Sequence, residues 1–170
     1  MSDIIWSPRL TIPDPDDKNW IKTTYGGYNH CVLGSPSYAT GSVLANCVGY
    51  CWGRWREILG YNPNLSTGNA DHWYTHNDSY ERGQAPRWGA VACWSGGSSG
   101  HVASVEVISA NAITCSESAY NGYYFRTHDY NINMDRSGFT FQGFIYLPVT
   151  FFSIEEVVAI IKRRRRYGDI

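Results

Sequence analysis

Residues 100–118 read GHVASVEVISANAITCSES, and this stretch decides the fold. Apolar residues alternate with small or polar ones in two runs, separated by Ser109, Ala110 and Asn111. Period-two alternation marks a strand with one buried face, and a short break of small residues between two such runs marks a hairpin. With 109–111 as a three-residue loop, His101 pairs opposite Ala119 and Ala103 opposite Glu117. His101, Ala103, Glu117 and Ala119 then share one face, and Glu117 lies on a diagonal from His101 that a long side chain spans. A loop of even length turns Glu117 to the other face. A histidine held by a carboxylate is the orienting half of a nucleophilic triad, because the carboxylate selects the tautomer and stabilises the imidazolium. The plain alternative is a strand histidine with its own hydrogen bonds satisfied.

Outward from the hairpin, GAVACW (89–94) and FTFQGFIYLP (139–148) are further β-type runs. Upstream, the pattern predicts a helix over 46–59. Val48, Cys51, Trp52, Trp55, Ile58 and Leu59 fall on one face at a 3.6-residue period. Asn46 suits its N-cap and Gly60 its end. A second short helix is expected near 70–76. Ser153 and Glu156 form a capping-box signature that predicts a helix over 154–165, whose basic end suits the helix dipole. One helix followed by several antiparallel strands is an α+β order. Residues 1–24 read as an arm, with Pro8, Pro13 and Pro15 blocking regular structure.

Composition narrows the function. A chain of 170 residues holds one domain with a real core. Its 43% hydrophobic and 17% charged content excludes disorder. The longest aliphatic run, Val157–Ile161, falls far short of a membrane span. No basic n-region precedes an apolar stretch at the N-terminus, so no signal peptide is read and synthesis in the cytoplasm is expected. A net charge of -1 gives no global field for nucleic acid. The basic run Arg163–Arg166 suits phosphate or a partner, and a solvated helix end is its plain reading. The 7 Trp and 13 Tyr suit polar, glycan-like ligands, although the plain reading is that most of them are core and strand residues.

Five cysteines without a signal peptide argue against a disulfide framework and for one kept for its chemistry. In NCVGYCWGRWR (46–56), Cys47 falls in the first helical turn, where amide N–H groups are free to lower a thiol pKa and to bind an oxyanion. Cys51 lies one turn deeper, where those groups are spent. The physics favours Cys47 as nucleophile. Zinc is a rival, since Cys47, Cys51, His72, His76, Cys93 and Cys115 are ligand types. However, CVGYC has no matched second pair and HWYTH lacks the glutamate of a zincin helix. A non-catalytic binding module and an acyl-transfer enzyme are the other rivals.

GSVLANCVGYCWGRWREI followed by GHVASVEVI and ITCSESAYNG resembles the CHAP domain, the cysteine/histidine-dependent amidohydrolase/peptidase, in its phage-endolysin form. GGYNHCVLGSP, PRWGAVACW and FQGFIYLP add to the likeness, which spans about residues 25–148 and leaves 1–24 as the arm and 149–170 as a basic helical tail. The resemblance implies a papain-like fold with a nucleophile helix packed on an antiparallel sheet. It implies cleavage of peptidoglycan, either as an N-acetylmuramoyl-L-alanine amidase or as a stem or cross-bridge endopeptidase. It implies Cys47 as nucleophile, His101 as base and Glu117 as the residue orienting it. Relatives often carry Asn two residues after that glutamate; here it is Ala119, so Asn121 is a candidate assistant. Asn46, Trp94, Gly100 and Trp73 are the expected oxyanion and groove residues. No metal or cofactor is expected, since the loop before Cys47 lacks the carboxylates of calcium-binding relatives. The partners expected are peptidoglycan and a wall-binding domain or subunit, with neither nucleic acid nor membrane. Action on the wall after holin-type release, or from a virion, is the expected setting.

Overall fold

The computed structural model describes residues 3–13, 21–22, 29–30, 46–66, 68–120 and 122–167. The chain divides into two compact units, Arg9–Leu147 and a smaller one made of Met1–Pro8 with Pro148–Ile170.

In the smaller unit, β1 (Asp3–Ile5) pairs in parallel with β10 (Thr150–Phe152). Trp6 packs edge-on against Phe151, with ring centroids 4.8 Å apart. The expected arm is therefore a strand in part, because the three prolines all follow it. The capping box forms as expected. Glu156 N–H donates to Ser153 Oγ at 3.1 Å, Ser153 N–H donates to Glu156 at 2.6 Å, and α2 runs Ile154–Tyr167.

In the larger unit, β2 (Ile21–Lys22) pairs with β3 (Asn29–His30), and α1 (Cys47–Leu59) follows. Then come β4 (Arg82–Gly83), β5 (Val91–Gly96), β6 (His101–Ile108), β7 (Ile113–Glu117), β8 (Arg126–Tyr130) and β9 (Phe139–Ile145). These six strands form one antiparallel sheet in the order β4-β9-β5-β6-β7-β8. The fold is α+β, as the order of patterns predicts. The second helix expected near 70–76 is only a single 3-10 turn, Ala70–His72.

Helix α1 starts and stops for local reasons. The Asn46 side-chain oxygen accepts from Val48 N–H at 2.9 Å and Gly49 N–H at 3.1 Å. Gly60 closes the helix at φ 75°, a left-handed conformation that glycine adopts without penalty, and its N–H reaches the Arg56 carbonyl at 2.8 Å. The buried stripe includes Val48, Cys51, Trp52 and Trp55. Trp55 donates to the Gly89 carbonyl at 2.7 Å, which ties the helix to the entry of β5.

The β6–β7 hairpin departs twice from its expected form, and the two departures offset. Ile108 pairs with Ile113, so the connection is 109–112, four residues rather than three. Alone, this even-length loop would turn Glu117 away from His101. A β-bulge between Val105 and Val107 restores the register, and Ser104↔Ser116 and Val105↔Cys115 pair as a three-residue loop requires. The extra residue, Glu106, is fully buried on the side of α1. It takes Arg54 Nε and Nη2, both at 3.0 Å, Ser116 Oγ at 2.6 Å and the Arg9 N–H at 2.8 Å. Burial acts to lower the Arg54 pKa, but the adjoining Glu106 and Glu57 carboxylates outweigh it and raise it. The opposite face of the sheet carries an apolar cluster that includes Trp94, Ala103, Cys115, Tyr130 and Phe144.

Candidate active site

His101 opens β6 and Glu117 closes β7, on the face shared with Ala103 and Cys115. Their side chains meet, with His101 Nε2 against Glu117 Oε2. Glu117 is wholly enclosed and takes four further donors. These are Tyr123 Oη at 3.0 Å, Arg126 Nε at 2.6 Å, Tyr130 Oη at 3.0 Å and Arg136 Nη1 at 3.3 Å. Burial acts to raise its pKa. The His101 hydrogen bond and its charge once protonated in acid, with the Arg136 charge and the Arg126 hydrogen bond, outweigh burial and bring it down to about 2. Glu117 is therefore a carboxylate and an obligate acceptor, and Nε2 must carry the ring proton. That leaves Nδ1 as the basic nitrogen of His101.

His101 and Cys47 line one cavity of about 580 Å³. Cys47 is the first residue of α1 and is half-buried. The expectation of a lowered thiol pKa fails. Burial pushes the thiol up, and hydrogen bonds from the Val102 and Val48 backbone only partly oppose it. Burial likewise pulls His101 down, against the pull of Glu117. At neutral pH these directions describe a neutral thiol and a neutral imidazole lining one cavity, an arrangement in which attack by the thiol would need a general base. Cys51 is fully enclosed, and burial holds its thiol far above the ordinary value.

The lowered His101 pKa moves protonation of its ring below the ordinary pH 6.5. With His101 as the base, the acid limb of a pH–rate profile is expected to be centred below pH 6.5. An acid limb centred above that value would contradict the assignment.

The other expected site residues divide. Asn46 and Gly100 line the cavity. The Asn46 side chain is occupied in capping Val48 and Gly49, which leaves the Cys47 N–H as the helix amide for an oxyanion. Gly100 sits at φ 73°, and a Cβ there would stand 2.3 Å from the Asp71 nitrogen, so the 97–100 loop needs glycine to pack against 70–72. Trp94 and Trp73 do not line the cavity. Both are fully buried, Trp94 donating to the Met134 carbonyl at 2.7 Å and Trp73 to the Gly68 carbonyl at 3.1 Å. An indole with its N–H satisfied inside is more stable in the core than on a wall. Backbone-rich segments, Gly68–Ala70 and Gly97–Gly100, form the walls instead, with Tyr120 at the rim. Asn121 and the loop before Asn46 lie outside the described residues. Among the described residues no group of three or more His, Cys, Asp or Glu is placed to hold a metal ion, and no helix is long and apolar enough to cross a membrane.

A cysteine at a helix start, and a histidine bound to a carboxylate on adjacent strands, is the arrangement that the sequence likeness implied. Residues 37–119 match the CHAP domain model. CHAP domains are generally amidohydrolases or peptidases with a peptidoglycan-hydrolase-type function. No curated protein and no solved structure matches the chain. The CHAP match ends at Ala119, just before the residues that surround Glu117. Those four, Tyr123, Arg126, Tyr130 and Arg136, escaped the sequence reading. RTHDY (126–130) is an exposed edge strand without hydrophobic alternation, so it carries no strand signal. Its usable signal is parity: Arg126 and Tyr130 are an even number of residues apart and so share a face.

Proposed function

We propose that the chain is an endolysin-like peptidoglycan hydrolase that cleaves an amide of the bacterial wall through Cys47. The observation that carries this reading is the single cavity lined by Cys47 and His101, with His101 hydrogen-bonded through Nε2 to an ionised Glu117. His101 Nδ1 takes the thiol proton as sulfur adds to the amide carbonyl. The Cys47 N–H faces the oxyanion, and His101 Nδ1 returns the proton to the leaving amine. Water, deprotonated by His101, then hydrolyses the thioester and frees the enzyme. The arrangement of helix, strand and three side chains supports a papain-like reading.

The test is mass spectrometry of purified wall sacculi after digestion. A newly freed L-alanine amine identifies an amidase, and a split stem or bridge identifies an endopeptidase. Sacculi that release no new amine at all would refute the reading.

A further inference from the structure

We infer that the cavity selects a substrate bearing a free carboxylate beside the scissile amide, and that Arg136 is the residue that recognises it. This rests on the hydrolase reading above.

The inference starts from charge balance. Two guanidiniums, Arg126 and Arg136, converge on one carboxylate, Glu117, which is their only carboxylate partner among the described residues. With Cys47 and His101 both neutral at rest, the cluster holds one positive charge in surplus. Solvent screens Arg126, whose side chain is 40% exposed. Arg136 is different, being only 18% exposed and part of the cavity wall. It lies over Phe139, 5.1 Å from the ring centroid, and Phe139 lines the same cavity. Its Nη1 is committed to Glu117 and the Tyr130 hydroxyl, while its enclosed Nε has no acceptor among the described residues. The surplus charge therefore sits where the dielectric is low and electrostatic demand is greatest.

The described lining contains no Asp or Glu, and Arg136 is its one permanent cation. Apart from Cys47 and His101, the rest is glycine, serine, asparagine, alanine, valine and aromatic surface, which carries no charge to select for. A bound carboxylate would neutralise the surplus next to Cys47, whereas a carboxamide at the same place would leave it uncompensated.

The experiment uses two synthetic muropeptides that differ only in a free carboxylate or a carboxamide next to the cleaved bond. Calorimetry on the full chain carrying Cys47→Ala is expected to show the carboxylate form bound about tenfold more tightly, with the preference shrinking as salt rises. Adding Arg136→Gln is expected to erase the preference, and Arg136→Lys to retain part of it. A ratio of affinities is insensitive to a general loss of fold, which would weaken both peptides alike. Equal affinity for the two forms, or a preference that survives Arg136→Gln, would overturn the inference. Wild-type cleavage of both peptides at equal kcat/KM would overturn it while leaving the hydrolase reading intact. Failure to bind or cleave either peptide would overturn both.

Discussion

Replacing Cys47 with alanine is expected to abolish wall clearing, while Cys51→Ala clears at nearly the wild-type rate. The two thiols are one helical turn apart and chemically alike, so the contrast isolates position. Cys47 is the first residue of α1 and lines the cavity with His101. Cys51 is fully buried and does not line the cavity. Loss of a nucleophile that works as a unit with its base costs about 10⁶-fold in kcat, leaving only what binding and the oxyanion site supply. Loss of the Cys51 sulfur removes a small buried atom, at about 1 kcal/mol of stability and with a change in rate of about twofold at most. The decay of turbidity of a cell-wall suspension, followed for the three proteins at equal concentration, measures both. Clearing by Cys47→Ala at the wild-type rate would remove cysteine catalysis from the account, and the reverse pattern would move it to Cys51.

Glu117→Gln is expected to lower kcat by about 10³ to 10⁴ without a comparable change in KM, because an amide no longer dictates which His101 nitrogen carries the proton. The same substitution carries a stability signature that a purely catalytic role would lack. The folded pKa of Glu117 is about 2 against an ordinary 4.5, so ionised Glu117 stabilises the fold on the order of 3 kcal/mol above pH 4.5. The sign follows from the depressed pKa: the contribution is complete above 4.5 and is lost as pH falls towards 2. Urea unfolding at neutral pH should therefore separate wild type from variant clearly, and the gap should close across that acid window. A gap that stays constant through it would mean that the arginines and tyrosines around Glu117 do not hold it ionised.

Much of this site is legible in local chemistry. Asn46 before the first apolar position and Gly60 after the last define α1, because an N-cap acceptor and a left-handed C-cap each act within a few residues. Ser153 and Glu156 define the start of α2 by the same short-range logic. Alternation along 101–108 and 113–117 yields two strands, since each side chain knows its face only relative to its neighbours. The CHAP likeness implies roles for Cys47, His101 and Glu117. It says nothing of Arg126, Tyr130 and Arg136, which lie past the matched residues on a polar edge strand and the loop after it.

The sequence by itself therefore determined α1, α2, their caps and the central strands, and marked Cys47, His101 and Glu117 as candidates. Only the tertiary structure decided that His101 and Glu117 meet. The hairpin has an even-length loop, and on its own it would send Glu117 to the wrong face. The bulge at Glu106 corrects it, and Glu106 is held there by Arg54, 52 residues away on α1. Register depends on the sum of loop length and bulges, and a bulge stabilised by a distant ion pair leaves no trace in local periodicity. The same holds for protonation: a helix start promises a reactive thiolate, but burial in the assembled fold outweighs it and holds the Cys47 thiol up.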